Sequence, residues 1–120
     1  MPTRRQRRVA ELIHRELSTL LLFEVRDPRL ANLTITEVNV TPDLLEARIY
    51  YTVLGDDEEK FEAQAGLESA GGYLRSLLAA KVQLRSVPEL QFFLDTSAEQ
   101  GRRIDELLAQ IAESDAQDEG

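Results

Sequence analysis

Cysteine is absent from these 120 residues, histidine occurs once, and lysine twice against twelve arginines. Without cysteine there is no thiol nucleophile and no thiolate zinc site, which fits a reducing compartment. No apolar run approaches the ~20 residues of a membrane span, and the start, Met1-Pro2-Thr3-Arg4-Arg5, lacks the apolar segment of a signal peptide. The expectation is a soluble, cytoplasmic protein. Also missing are the G-x-x-x-x-G-K-[ST] phosphate loop, the G-x-S-x-G elbow and the H-E-x-x-H helix. Only carboxylate chemistry is left, and the scattered acids meet no standard for an active site. The chain is therefore read as a non-enzyme, with no cofactor and no bound metal.

A net charge of −8 argues at face value against a nucleic-acid partner. Its distribution argues otherwise. All of the excess lies in Asp56 to Glu62 and in Glu113 to Glu119, and the remainder is neutral. Within that remainder the first 29 residues hold seven arginines against four acids, a basic region that the global sum hides. The scarcity of lysine tilts the reading toward phosphate, whose oxygens suit the planar guanidinium fork.

Gln6 to Phe23 reads as a helix, with Val9, Ile13, Leu17 and Leu20 on one apolar face. Arg4, Arg8 and Arg15 point away from that face. His14 falls between the two faces and reads as a surface side chain. Pro28 ends the helix by pushing Asp27 out of the α region. Thr34 to Val40 is a strand whose alternation slips near Thr36-Glu37, the mark of a β-bulge. After the Thr41-Pro42-Asp43 turn, Leu45, Ala47, Ile49, Tyr51 and Val53 alternate with Glu46, Arg48, Tyr50 and Thr52 as the second strand of a hairpin with one polar face. The acids from Asp56 to Glu59 precede a helix, where they complement the helix dipole. A calcium loop with alternating ligands and a central glycine is not present.

Phe61, Ala65, Leu67 and Ala70 give a loose stripe before Ala70-Gly71-Gly72; Leu74, Leu77, Leu78 and Val82 give another after it. Adjacent glycines inside a helix cost roughly 1 kcal/mol each relative to alanine. A kink between two helices, and the functional centre, is expected there. Pro88 then leads into a strand in which Leu90, Phe92 and Leu94 alternate with Gln91, Phe93 and Asp95. Ser97-Ala98-Glu99-Gln100 matches a capping box for a last helix, with Ile104, Leu107, Leu108 and Ile111 as an apolar stripe that covers the sheet or packs beside it. The expected domain spans residues 1–112, with 113–120 as an acidic, disordered tail.

This order is α+β: a three-stranded sheet with helices on one face, α-β-β-α-kink-α-β plus a C-terminal helix. A right-handed crossover makes the third strand parallel to the second. The plan is KH-like, but the G-x-x-G loop with which KH domains clamp a nucleic-acid backbone is missing.

Motifs along about residues 4 to 108 carry a more specific resemblance. They include Val9-Ala10-Glu11, Arg26-Asp27-Pro28-Arg29, Thr34-Ile35-Thr36, Pro42-Asp43-Leu44, Tyr50 to Gly55, Tyr73-Leu74-Arg75, Pro88-Glu89-Leu90, Phe92-Phe93-Leu94-Asp95 and Ile104-Asp105. In their order and spacing the chain resembles the ribosome-binding factor A family, whose type II KH-like fold replaces G-x-x-G by an Ala-x-Gly kink, matched by Ala70-Gly71-Gly72. The second glycine in the kink and the short acidic tail depart from the pattern. The resemblance implies binding to the free 30S ribosomal subunit and contact with 16S rRNA near its 5′-terminal helix. It also implies help in late 30S assembly and 16S processing without cleavage, and release by a ribosome-associated GTPase. A monomer without membrane contact is expected.

The expected RNA surface joins Arg4, Arg5, Arg8 and Arg15 of the first helix to Ala70, Gly71, Gly72, Arg75, Lys81 and Arg85. Arg75 as a surface ion-pair partner and Arg85 as a complement to its helix dipole are the plainer alternatives. The alternative function is a KH-like protein-interaction module without direct RNA contact; a hydrolase using Asp56 to Glu59 is a further rival.

Overall fold

The computed structural model describes residues 1–82, 84, 86–97 and 107–112. Its first helix, α1, Arg4–Phe23, begins two residues earlier than periodicity placed it, because Thr3 and Gln6 close a capping box. The Thr3 hydroxyl accepts from Gln6 N at 3.2 Å, and Gln6 Oε1 accepts from Thr3 N at 2.8 Å. The same Gln6 side chain is buried, and its Nε2 donates to Val40 O at 2.9 Å. One glutamine thus satisfies the helix end and ties it to the sheet.

A short 3-10 turn, Pro28–Leu30, follows with Asp27 as its N-cap. The sheet is built from β1, Leu33–Val40, β2, Glu46–Val53, and β3, Glu89–Leu94, in the order β1-β2-β3. β1 and β2 pair antiparallel, and β3 lies parallel to β2 after the long crossover through α2, Asp57–Lys81. The core fills one side. Ile35, Val38 and Val40 of β1, Ala47, Ile49 and Tyr51 of β2 and Phe92 of β3 meet Val9, Ile13, Leu17 and Leu20 of α1 and Leu67, Leu74 and Leu78 of α2. The α+β class, the parallel third strand and the one-sided packing agree with the sequence reading.

The bulge also agrees: the β1–β2 register shifts between Ile35 and Glu37, leaving Thr36 outside the ladder. Its hydroxyl reaches past β2 to donate to Asp95 Oδ2 at 2.6 Å. Asp95 Oδ1 accepts from Ser97 N at 3.0 Å and Ser97 Oγ at 2.6 Å. The Ser97 and Thr36 hydroxyls hold the Asp95 carboxyl down to about 2, against an ordinary 3.8. Such a group stabilises the fold above its unfolded pKa and loses that contribution as pH falls through the folded value. Asp95→Asn should therefore lower the thermal midpoint at neutral pH, and its deficit against the parent should shrink between about pH 4 and pH 2. A deficit that stays constant across that window would rule out this linkage.

Four expectations change. His14 is half-buried, and its Nε2–H donates to Ile35 O at 3.1 Å beside the bulge. Leu45 precedes β2 and is exposed, because Leu44 turns the chain with φ 61° and so sets where the strand begins. Phe61 is 76% exposed and not on the core stripe, which is Ala63, Gly66, Leu67, Leu74 and Leu78. Gly66 is in the stripe for a steric reason: a Cβ there would sit 3.2 Å from Leu30 Cδ2 and 3.3 Å from Arg29 Nε. At the C-terminal end, 107–112 are helical with Leu107, Leu108 and Ile111 exposed, so these side chains do not cover the sheet. The Ser97–Gln100 capping box from Ala98 onward, Ile104 and the acidic segment 113–120 lie outside the described residues.

The kink needs the largest correction. α2 runs unbroken from Asp57 to Lys81, so the break expected at Ala70-Gly71-Gly72 is helical, and no described glycine has positive φ. The two glycines cost together about 2 kcal/mol. Burying Leu67 before them and Leu74 and Leu78 after them contributes about 1.5–3 kcal/mol each. Continuing the helix keeps all three on the sheet, and that outweighs the propensity. A Cβ at Gly72 would meet nothing within 4 Å. Gly72→Ala is therefore expected to stabilise the protein by about 0.5–1 kcal/mol, a rise in melting midpoint of a few degrees. A fall would show that Gly72 leaves the helical conformation in solution.

Candidate nucleic-acid interface

The amphipathic pattern of α1 places its apolar residues in the core and Arg4, Arg5, Arg7, Arg8 and Arg15 in solvent. Arg15 pairs with Glu16 at 3.6 Å and Arg29 with Asp27 at 2.8 Å. Arg4, Arg5, Arg7 and Arg8 carry charge that no ion pair among the described residues answers. Their position is electrostatically unfavourable for the helix itself. No acid lies in the first turn of α1, where the dipole's positive end disfavours cations. α2 shows the opposite arrangement, with Asp57, Glu58 and Glu59 in its first turn and the Asp56 carboxylate accepting from Glu59 N at 2.8 Å. The acidic cluster is a helix start, as its position in the sequence suggested.

Beside the arginine face runs a cleft of about 360 Å³, lined by Arg8, Val9, Glu11, Leu12, Arg15 and Leu84. A second, of about 180 Å³, brings Arg5 to Leu44, Leu45, Leu84, Ser86 and Pro88. The fold thus joins α1 to the segment between α2 and β3. A larger cleft of about 510 Å³ lies at the other end of α1, around Leu21, Val25 and Pro28. Arg26 and Asp27 line it, and the neighbouring Arg29 is committed locally: Nε and Nη2 donate to both Asp27 oxygens, and these bonds keep the Asp27 carboxyl below its ordinary value.

Of the α2 residues, Lys81 is exposed in the last turn. Gly72 is exposed, while Ala70 and Gly71 are half-buried, with Phe92 Cε2 4.0 Å from where a Gly71 Cβ would be. Arg75 is occupied: Nε and Nη2 donate to Val87 O at 3.2 and 2.8 Å, pinning the α2–β3 segment to the helix. Arg85 lies outside the described residues. The structure therefore joins Arg5, Arg8 and Arg15 to Leu84, Ser86 and Pro88 through shared clefts, and neither cleft is lined by the glycine pair.

Several residues escaped sequence reading. Leu84 belongs to no periodic run. Arg7 points from a different side of α1, near Asn39 and Pro42. Gln64 was hidden in a helix pattern: it accepts a hydrogen bond from the buried Tyr51 hydroxyl and donates to Phe92 O at 3.1 Å. Burial pushes the Tyr51 phenol up, helped by the negative charge of Glu68. Tyr50 and Phe93, assigned to the polar phase of their strands, stand in register with ring centroids 5.6 Å apart. Two aromatics in the polar phase of two strands were the available signal.

A three-stranded mixed sheet carrying its helices on one face, with a long helical crossover before the parallel strand, makes this a KH-like domain. Its solved neighbours share that plan. The match to Ribosome-binding factor A covers residues 5–108, and the chain belongs to that family. A ribosome-binding factor A from Saccharopolyspora erythraea is 48% identical over 115 residues, which is 96% of this chain and 69% of the relative. The crystal structure of ribosome-binding factor A from Thermus thermophilus superimposes with a TM-score of 0.67 at 26% identity, covering 74% of this chain and 93% of the other. A homology model of the Thermus thermophilus protein, fitted into a cryo-EM map of a complex of the 30S with ribosome-binding factor A, gives a TM-score of 0.61 at 26% identity, covering 72% and 91%.

Proposed function

We propose that this chain is a non-catalytic assembly factor that binds the free 30S ribosomal subunit. The reading has it contact 16S rRNA near the 5′-terminal helix, assist late maturation and 16S processing, and leave with the help of a ribosome-associated GTPase, acting as a cytoplasmic monomer. One observation carries it: the row of exposed arginines on α1, which lies beside open clefts and begins with Arg4, Arg5 and Arg7 in the first turn, where the helix dipole disfavours cations. Family membership and the relative fitted into a 30S complex support the same partner. Arg4, Arg5, Arg8 and Arg15 would meet phosphate, with Lys81 and Arg85 extending the surface along the α2–β3 side. Arg75 acts indirectly, holding that segment in place. Ala70, Gly71 and Gly72 would offer a smooth helical surface to the RNA, since the break that a clamp would need is absent.

Co-sedimentation with 30S, 50S and 70S particles tests the partner, and a filter-binding titration against salt tests the mode. Binding through several phosphates gives a steep negative slope. A shallow slope with retained 30S binding would favour a protein contact on the subunit instead.

A further inference from the structure

The side of the sheet away from the helices has a composition that the arginine face does not explain. Three registered rows cross it: Asn39–Arg48–Gln91, Glu37–Tyr50–Phe93, and Thr34–Thr52. The two rings are neighbours on adjacent strands, tilted 31° to one another, and Phe93 is 42% exposed. We propose that this face is a stacking platform for unpaired bases of single-stranded RNA, Tyr50 and Phe93 supplying the rings and Asn39, Arg48 and Gln91 the base-edge hydrogen bonds. This deepens the proposed function and rests on its RNA partner.

The chemistry selects bases over other occupants. Two rings offer π-faces that any base can use, and the adjoining row, about 7 Å along the strands, consists of side chains with planar hydrogen-bonding ends. Amide and guanidinium groups pair with base edges, and a carboxylate such as Glu37 accepts from exocyclic amines. Arg48 is the one cation among these rows; Glu46 and Glu89 pair beyond it, and Asp95 is taken up by Thr36 and Ser97. A face with that balance does not attract a polyphosphate backbone, so contact falls on the bases. Duplex RNA keeps its bases stacked inside and is excluded. The apolar area is limited to one pair of rings with polar groups on both sides, which fits a base better than an apolar protein surface.

The full-length chain can be titrated by fluorescence anisotropy with a fluorescein-labelled oligoadenylate of about eight nucleotides and with a duplex of the same length. The parent should bind the single strand more tightly than the duplex. Tyr50→Leu combined with Phe93→Leu should weaken single-strand binding on the order of ten- to a hundredfold, with little change in the salt slope, because no phosphate contact is removed. Tyr50→Phe, which keeps the ring, should bind like the parent. If the double variant does not fold, the single leucine variants serve, each with a smaller loss. A folded leucine variant that binds the oligoadenylate with parental affinity overturns the proposal. So does an RNA-free spectrum in which the leucine changes shift the resonances of Leu107 and Ile111, because the chain's own C-terminal helix would then cover the face. Co-sedimentation of the parent with 30S separates the two readings: its failure removes the ribosomal partner, and the oligonucleotide arm decides the platform by itself.

Discussion

Reversing Arg4, Arg5 and Arg8 to glutamate together is expected to weaken 30S binding on the order of a hundredfold at physiological salt and to flatten its salt dependence by about three in log–log slope, one per lost phosphate contact. The same triple variant should melt no lower than the parent. Arg4 and Arg5 occupy the first turn of α1, where glutamate is favoured by the dipole by about 0.3–1 kcal/mol. All three side chains are exposed, so no packing is lost. Binding and stability should thus move in opposite directions, which a global unfolding defect cannot imitate. Filter binding across a salt series, with circular-dichroism melting on the same samples, checks both. A folded variant with parental affinity and slope would remove α1 from the interface.

Leu67→Ala should be the most damaging change to the fold. Leu67 is fully buried in α2 next to Gly66, within the layer that α2 presses onto the sheet. Truncation loses the transfer energy of the removed methyl and methylene groups and leaves a cavity, together about 2–5 kcal/mol. A loss of about 3 kcal/mol lowers the melting midpoint by roughly 10–15 °C for a domain of this size. Phe61→Ala, by contrast, should lie within about 0.5 kcal/mol of the parent, because Phe61 stands in solvent despite its size. The pair tests the rotational setting of α2. Equal costs at the two positions would mean that the helix is turned toward the phase that a stripe beginning at Phe61 predicts.

The strands, the bulge at Thr36, the amphipathic first helix and the acidic start of α2 were legible because each depends on residues within one or two turns or strand repeats of one another. Strict alternation exposes a one-residue slip, and a helix period exposes its apolar face, without reference to the rest of the chain. So was the exposure of Arg4, Arg8 and Arg15, since the face opposite Val9, Ile13 and Leu17 is determined by angle alone. Other features depend on residues far apart in sequence. Whether Gly71 and Gly72 break a helix is decided by what Leu67, Leu74 and Leu78 gain on the sheet, and that gain exceeds the glycines' propensity cost. Gln6 is buried because Val40 O, 34 residues away, needs a donor, and Arg75 is held on Val87 O by a connection whose path no local pattern describes. The registration of Tyr50 with Phe93 comes from the parallel pairing of β2 and β3 across the whole of α2. Local periodicity determines which face of an element is apolar. Only the packed structure decides which polar groups meet across the gaps, because a buried donor or acceptor is held by whatever partner the fold brings within about 3 Å.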